Sequence, residues 1–548
     1  MTAITAIAAL VSCGKPAPPL IPGPLGSLEK SFSETRSLAD KIDITRAKGL
    51  QTGGFENWYR ESRNDLIRQL GSVDSAGLGP EDRRALRTIR EVTSSQLGPD
   101  PAPAIGDRET GEVTCEYDPA QLLRQPSGAE ALERRIMACY GRAAGRIPFA
   151  GSELDRLTIF ARLGETGERG ERERLFRALQ PVWRSVNGDG SAGSPWRQLL
   201  TRRAREWRPS TLPHVERARA LGVDPDSVAL WLEGVLSAWR AAQPDTLLEP
   251  WDWYHYTGAA DRRLSPRIPR DRLLPINRAW YRSLGADPDS LRIRYDLDPR
   301  AGKYPVAYTT FGDRPYRTTD GWWPGEPTVF ATYRVGGLGN LVELLHETGH
   351  GIHIGGIRTR PAFADWPDSD TFTEAVADLA SLDAYEPRWQ VRILGDSVRL
   401  SESIRSKYGG VVLDVAWAWF EMRMFAGPDQ DPNQVWSDIT SRFLQIRPHP
   451  ELSWWAMRGQ LISGPGYMLN YALGALLTAQ LRERIAAERG SWFEGDLGWY
   501  GWVREALFRY GQERPAGEVA RDVLGAPIRP DALLRDLARP GRRERDRR

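Results

Sequence analysis

Histidine and cysteine are scarce in this chain, with six His and three Cys among 548 residues. Neither Cys115 nor Cys139 sits at the spacing of a metal ligand, so no thiolate metal site is written into the sequence. Charge of one sign is also lacking. The 74 basic and 72 acidic side chains nearly cancel to +2, which removes the electrostatic case for nucleic acid or an anionic membrane surface. The basic residues are almost all arginine. Beyond the first residues, no run approaches the roughly 18 apolar positions that a membrane span requires. No repeat period and no nucleotide-binding glycine loop occur. What remains is an ordinary globular composition, 41% hydrophobic and 27% charged, with an unusual 21 Trp. The length suffices for several domains or one large enzyme.

Three of the six histidines fall within eight residues, in the stretch LVELLHETGHGIH at 341–353. HETGH is an instance of H-E-x-x-H. Residues four apart share a helix face, so His346 and His350 can send both imidazoles to one metal. Glu347, turned about 100° from His346, can reach a water beside that metal without ligating. Leu341, Leu344, Leu345 and Ile352 supply the apolar surface that buries such a helix. Catalytic zinc takes three protein ligands and leaves one place open. Glu374, in FTEAVADLA at 372–380, is the candidate third ligand, because a carboxylate among Ala375, Val376, Leu379 and Ala380 needs a partner. Asp378 faces the same way, four positions on, and can hydrogen-bond a ligating imidazole, with His353 as a further supporting residue.

These residues carry a family resemblance. HETGHGIH resembles the HExGHxxH signature of the thimet oligopeptidase family, and the 24-residue step from His350 to Glu374 with its FTEAVAD context resembles angiotensin-converting enzyme. Both are gluzincin zinc peptidases with a glutamate third ligand. The PWD segment in EPWDWYHY at 249–256 also occurs ahead of HExxH in the thimet oligopeptidase family, and His255 within it is a candidate substrate contact. Residues 316–322 (YRTTDGW) resemble the strand on which peptides lie in angiotensin-converting enzyme, and 328–335 (TVFATYRV) is the other candidate. Edge-strand pairing there would hold a peptide backbone with little reading of its sequence. Both families end their catalytic set with tyrosines at the start of a late helix. In GPGYMLNYALG at 464–474 Tyr471 best fits the donor to the developing oxyanion, and Tyr467 is the second choice. The chain departs from the pattern in having no histidine at 459–463, where His449 is the nearest, and in its four-residue tyrosine spacing.

Taken in order, residues 1–12 read as a signal peptide ending in the lipobox LVSC, with lipid expected on Cys13. Residues 13–28 read as a Pro/Gly tether, 29–538 as the helical domain and 539–548 as a charged disordered tail. Amphipathic helices are expected at 55–70, 129–144 and 171–180. An exported chain makes a Cys115–Cys139 disulfide possible; a cytosolic one leaves two inert thiols. The predicted fold is mainly α, with two helical lobes around a deep cleft and a small β element beside the metal helix. The resemblance implies one Zn²⁺ and hydrolysis of short unfolded peptides by a water that zinc and Glu347 activate. The alternatives are a dipeptide-releasing carboxypeptidase and an exported peptide-binding lipoprotein without turnover. The protein is expected as a monomer facing the periplasm, with no nucleic-acid partner and no membrane contact except through Cys13. The alternative location is the cytoplasm.

Overall fold

This computed structural model describes residues 21–99, 114–124, 128–207, 211–300, 303 and 306–539. The signal peptide, Cys13 and the last nine residues of the chain therefore lie outside the described residues. Helix dominates, as the apolar periodicity predicts, and the few strands are short.

The first three helices, Gly26–Ala47, Phe55–Ser72 and Pro80–Ser95, bury Leu25, Leu28, Phe32, Leu66 and Ile89 against one another. The helical domain thus starts before residue 29. Leu25 and Leu28 are apolar, three apart, and draw the end of the predicted tether into this small core. At the other end, Arg539, read as the first residue of the tail, is held by Glu386 and Asp536 at 2.8 Å each. Between these ends one hydrophobic cluster runs from Leu122 to Leu537 and takes in most of the tryptophans.

Helix Ala129–Gly145 falls where expected. The region at 171–180 instead divides into Arg169–Ala178 and Gln180–Asn187. Glu168 caps the first by accepting the Gly170 N–H at 2.9 Å, and Pro181 fits the unbonded first turn of the second. The PWD segment is structural. Asp252 accepts two hydrogen bonds from Arg172, at 2.7 and 3.1 Å, and Glu249 pairs with His449 at 2.7 Å.

Seven short strands occur among the described residues. β1 (Ile147–Phe149) and β2 (Ser152–Leu154) form a hairpin. β3 (Arg294–Asp296), β4 (Tyr308–Asp313) and β7 (Glu326–Phe330) form a sheet in the order β3-β7-β4. β5 (Tyr316–Thr318) and β6 (Gly321–Trp323) pair only with each other. This pairing bears differently on the two sequence candidates for a substrate strand. Residues 316–322 turn back on themselves at Thr319 and Asp320, and the Arg317 N–H is taken by the Thr359 carbonyl oxygen at 3.2 Å. The strand in 328–335 stops at Phe330 and lies between two neighbours, so it has no backbone edge to offer. The sheet edge nearest the metal helix is β4, whose Thr309 Oγ lies 2.8 Å from the Glu347 carbonyl oxygen.

Cys115 and Cys139, 24 positions apart in the chain, form a disulfide with their Cα atoms 5.5 Å apart. Cross-linking a loop of this size stabilises by about 3 kcal/mol in the chain-entropy view. Replacing both cysteines by serine is expected to lower the thermal midpoint by several degrees. Reductant should shift the wild type to the same value and leave the double variant unmoved.

Candidate metal centre

The HExxH motif lies on helix Leu338–Gly356. Its start is shaped by two glycines. A Cβ at Gly336 would sit 1.9 Å from the Ile268 carbonyl oxygen, and Gly337 has φ of 105°, a region closed to most side chains. Asp261 takes the place of a local cap by accepting the Leu338 N–H, and a carboxylate is favoured at that positive helix end. Leu341, Leu344, Leu345 and Ile352 are all buried in the main cluster.

The glutamate-bearing helix, Asp370–Ser381, is capped by Ser369 and crosses the metal helix at Gly349. A Cβ there would meet the Ala377 carbonyl oxygen at 2.3 Å, so the fourth residue of HETGH must be glycine for the helices to approach this closely. That approach brings His346, His350 and Glu374 together, with one ligand atom from each lying within 4.8 Å of the other two. His346 Nε2 is 3.1 Å from His350 Nε2 and 3.4 Å from a Glu374 oxygen.

Asp378 sets the tautomer. Its Oδ1 lies 2.8 Å from His346 Nδ1 and accepts that N–H, which leaves the Nε2 lone pair aimed at Glu374 and His350. Ser381 donates to the same oxygen at 2.7 Å. Two imidazole nitrogens and a carboxylate oxygen converging on one point match the donor set of a divalent cation. The residues present therefore fit a metal. The ligands keep an open side, since the His346 and Glu374 side chains are 20% and 23% exposed.

Glu347 is not part of the ligand cluster and is buried beside it, with burial pushing its carboxyl up to about 7. Thr309 Oγ lies 2.7 Å from its Oε2 and anchors that oxygen. Sequence reasoning missed Thr309 because nothing local marks a threonine 38 positions upstream as a partner.

Tyr467 and Tyr471 bracket the start of helix Met468–Arg489, with ring centroids 5.5 Å apart and edge to face. Burial raises both phenols, and the nearby Glu374 charge raises them further, so both remain protonated donors. His353 requires correction. Its ring nitrogens make no hydrogen bond, and the ring is stacked on Phe508 at 4.7 Å and edged by Trp366 and Phe372. Burial drives it down to about 3, so it is a neutral packing residue rather than a support for the ligands. His449 is not returned to the site; it is held between Glu249 and Glu451 at 2.7 Å each. The His255 imidazole leaves Nδ1 without a hydrogen-bond partner and bonds the Gly164 backbone, while its carbonyl oxygen accepts from Arg262 at 2.6 Å.

No family model and no curated protein matches the sequence. Solved structures do match the fold. PZ peptidase A with an inhibitor aligns over 94% of this chain and 96% of its own, at 14% identity and a TM-score of 0.58. A protein described as oligoendopeptidase F aligns over 92% and 85%, at 17% identity and a TM-score of 0.57. An M32 carboxypeptidase from Deinococcus radiodurans R1 aligns over 93% and 97%, at 15% identity and a TM-score of 0.53. At these identities the likeness establishes a shared mainly helical fold. It does not single out thimet oligopeptidase or angiotensin-converting enzyme, whose likeness to this chain rests on the sequence motifs.

The geometry generates a metal-binding prediction. Purified protein is expected to hold one divalent cation per chain, and Glu374→Ala to lose it at chelator concentrations that leave the wild type loaded. Asp378→Ala is expected to weaken metal affinity by about 10–100-fold, the usual effect of removing a hydrogen-bond partner from a ligating histidine. Competition with a metal-sensitive dye reads both.

Proposed function

We propose that the protein is a zinc-dependent peptidase acting on short, unfolded peptides. The observation that carries this reading is the convergence of His346, His350 and Glu374 beside a buried, non-ligating Glu347. A purely structural metal site has no use for a buried carboxyl that neither ligates nor supports a ligand. The peptidase names of the structures sharing this fold support the reading.

Zinc, held by the two histidines and Glu374, would act as a Lewis acid on the peptide carbonyl. The remaining steps belong to the chain. Thr309 holds one Glu347 oxygen, leaving the other to take a proton from the attacking water and return it to the leaving amine. A carboxyl pushed toward neutrality by burial is suited to both transfers. Tyr471, one helical turn beyond Tyr467, would donate its O–H to the developing oxyanion, with Tyr467 orienting the substrate. A peptide laid along the outer edge of β4 would pair through its backbone, which suits an enzyme that reads little sequence.

Export as a lipid-anchored, periplasm-facing protein through Cys13 is part of the same proposal. The Cys115–Cys139 bridge supports it, because disulfides persist in oxidising compartments. Fractionation of wild type and Cys13→Ala tests it; recovery of both in the cytoplasm overturns it.

Hydrolysis of a quenched fluorescent peptide library, with and without chelator, tests the activity. Glu347→Gln is expected to retain the metal and lose about 10²–10⁴-fold in turnover. Tyr471→Phe is expected to lower kcat by about 10²–10³-fold with KM little changed, whereas Tyr467→Phe acts mainly on KM. The reverse ranking exchanges the two roles.

A further inference from the structure

One turn from the metal ligands stands a cation whose paired carboxylate lies beyond hydrogen-bond distance. Arg217 lies on helix Pro213–Ala220, which is locked against the turn before the tyrosines. Gly466 in that turn has φ of 72°, and a Cβ on it would come within 2.9 Å of the Pro213 side chain. The contact aims Arg217 over the Tyr467 ring, 5.2 Å from its centroid.

The Arg217 side chain is 24% exposed, and its Nε is buried without a hydrogen-bond partner. The nearest carboxylate is Asp370, at 3.6 Å and itself 59% exposed, which is too long for a hydrogen bond. Glu421, packed on another side, spends its carboxylate on the N–H groups of Gly466 at 2.8 Å and Met468 at 3.3 Å. Arg458, the other arginine beside the tyrosines, is already paired with Asp414 and stacked on Trp417. A buried guanidinium Nε without an acceptor is costly, and such groups in folded proteins usually have a reason to be kept.

Position supplies the reason. Asp370 is four residues before Glu374, and Tyr467 is four before Tyr471, so Arg217 touches each helix one turn from the site. One turn is about 5.4 Å, and an extended peptide advances about 3.3–3.6 Å per residue. We propose that Arg217 binds a substrate carboxylate one or two residues from the scissile bond, a subsite built from Arg217, Tyr467 and the facing side of Asp370. That carboxylate is either the peptide's C-terminus or an Asp or Glu side chain at the same reach. Guanidinium and carboxylate meet through paired N–H donors, which gives direction as well as charge. Asp370 holds the guanidinium in place between substrates without neutralising it at hydrogen-bond distance. The subsite rests on the peptidase reading above.

Matched peptides separate the sources: free acid against C-terminal amide, and Glu against Gln at each of the two positions after the cleaved bond. Wild type is expected to lose about 10–100-fold in kcat/KM, mostly through KM, when the relevant carboxylate is removed. A loss with the amide identifies the C-terminus; a loss with Gln identifies the side chain. Arg217→Gln should cleave the carboxylate and neutral peptides alike, and Arg217→Lys should restore part of the preference. A binding measurement needs no turnover: Glu347→Gln should bind a carboxylate dipeptide about 10–100-fold tighter than its neutral counterpart, and adding Arg217→Gln should abolish the difference. Equal handling of all peptides by wild type, or an unchanged preference in Arg217→Gln, overturns the subsite and leaves the peptidase reading intact. Failure of wild type to cleave any peptide, with the dipeptide preference still present in the binding measurement, overturns the peptidase reading instead.

Discussion

Everything at the candidate centre depends on how closely two helices approach. Gly349 lets the Leu338–Gly356 helix meet the backbone of Asp370–Ser381 at Ala377, where a methyl group would already collide at 2.3 Å. Only at that separation can Glu374 reach the point addressed by two imidazoles four residues apart, while Asp378 reaches the far nitrogen of His346. The approach costs conformational freedom and a side chain's worth of burial at the glycine. It is offset by the apolar residues flanking it, for Leu341, Leu344, Leu345, Val376 and Leu379 all lie in one cluster. A rigid, densely packed crossing is what a metal centre needs, since its ligands must be held before the ion arrives.

The surroundings divide the polar groups by duty. Those that hold a ligand or a base are themselves held: Asp378 by Ser381, Glu347 by Thr309, and the metal helix's first N–H by Asp261. The loop before the glutamate helix is tied in the same manner. Asp365 lies between Arg36 and Arg314, which fastens the first helix to the segment whose next residue, Trp366, edges His350. Buried ion pairs of this kind add little net stability, but breaking one leaves an unpaired charge, so they fix position more than they stabilise. The first helix therefore serves the centre although it carries none of its ligands.

Much of the centre was legible in the chain, and for a physical reason. Ligands four residues apart on a helix need no tertiary information to be recognised, because 3.6 residues per turn places them on one face. His346, Glu347 and His350 are of that kind, and so is the Glu374–Asp378 pair within its own helix. The scarcity of histidine made the cluster stand out. Tyr467 and Tyr471 were marked by the family resemblance, as tyrosines at the start of a late helix, and no local pattern separated their duties. His353 misled because helical spacing near a ligand says nothing of what fills the opposite face, which here is Phe372, Phe508 and Trp366.

The sequence by itself determined the local geometry: the helices, the caps, the ligand residue types and their turn-by-turn spacing. Only the tertiary structure decided which strand edge faces the centre, since the pleat of β4, β5 and β7 looks alike in sequence and pairing alone distinguishes an edge from a middle. Tertiary structure likewise chose the long-range partners. Thr309 meets Glu347 across 38 positions, and Arg217 comes to lie over Tyr467 through a helix that no motif marks. Contacts between elements far apart in the chain depend on how whole surfaces pack, and a packing solution is a property of all the side chains together, not of any stretch that can be read alone.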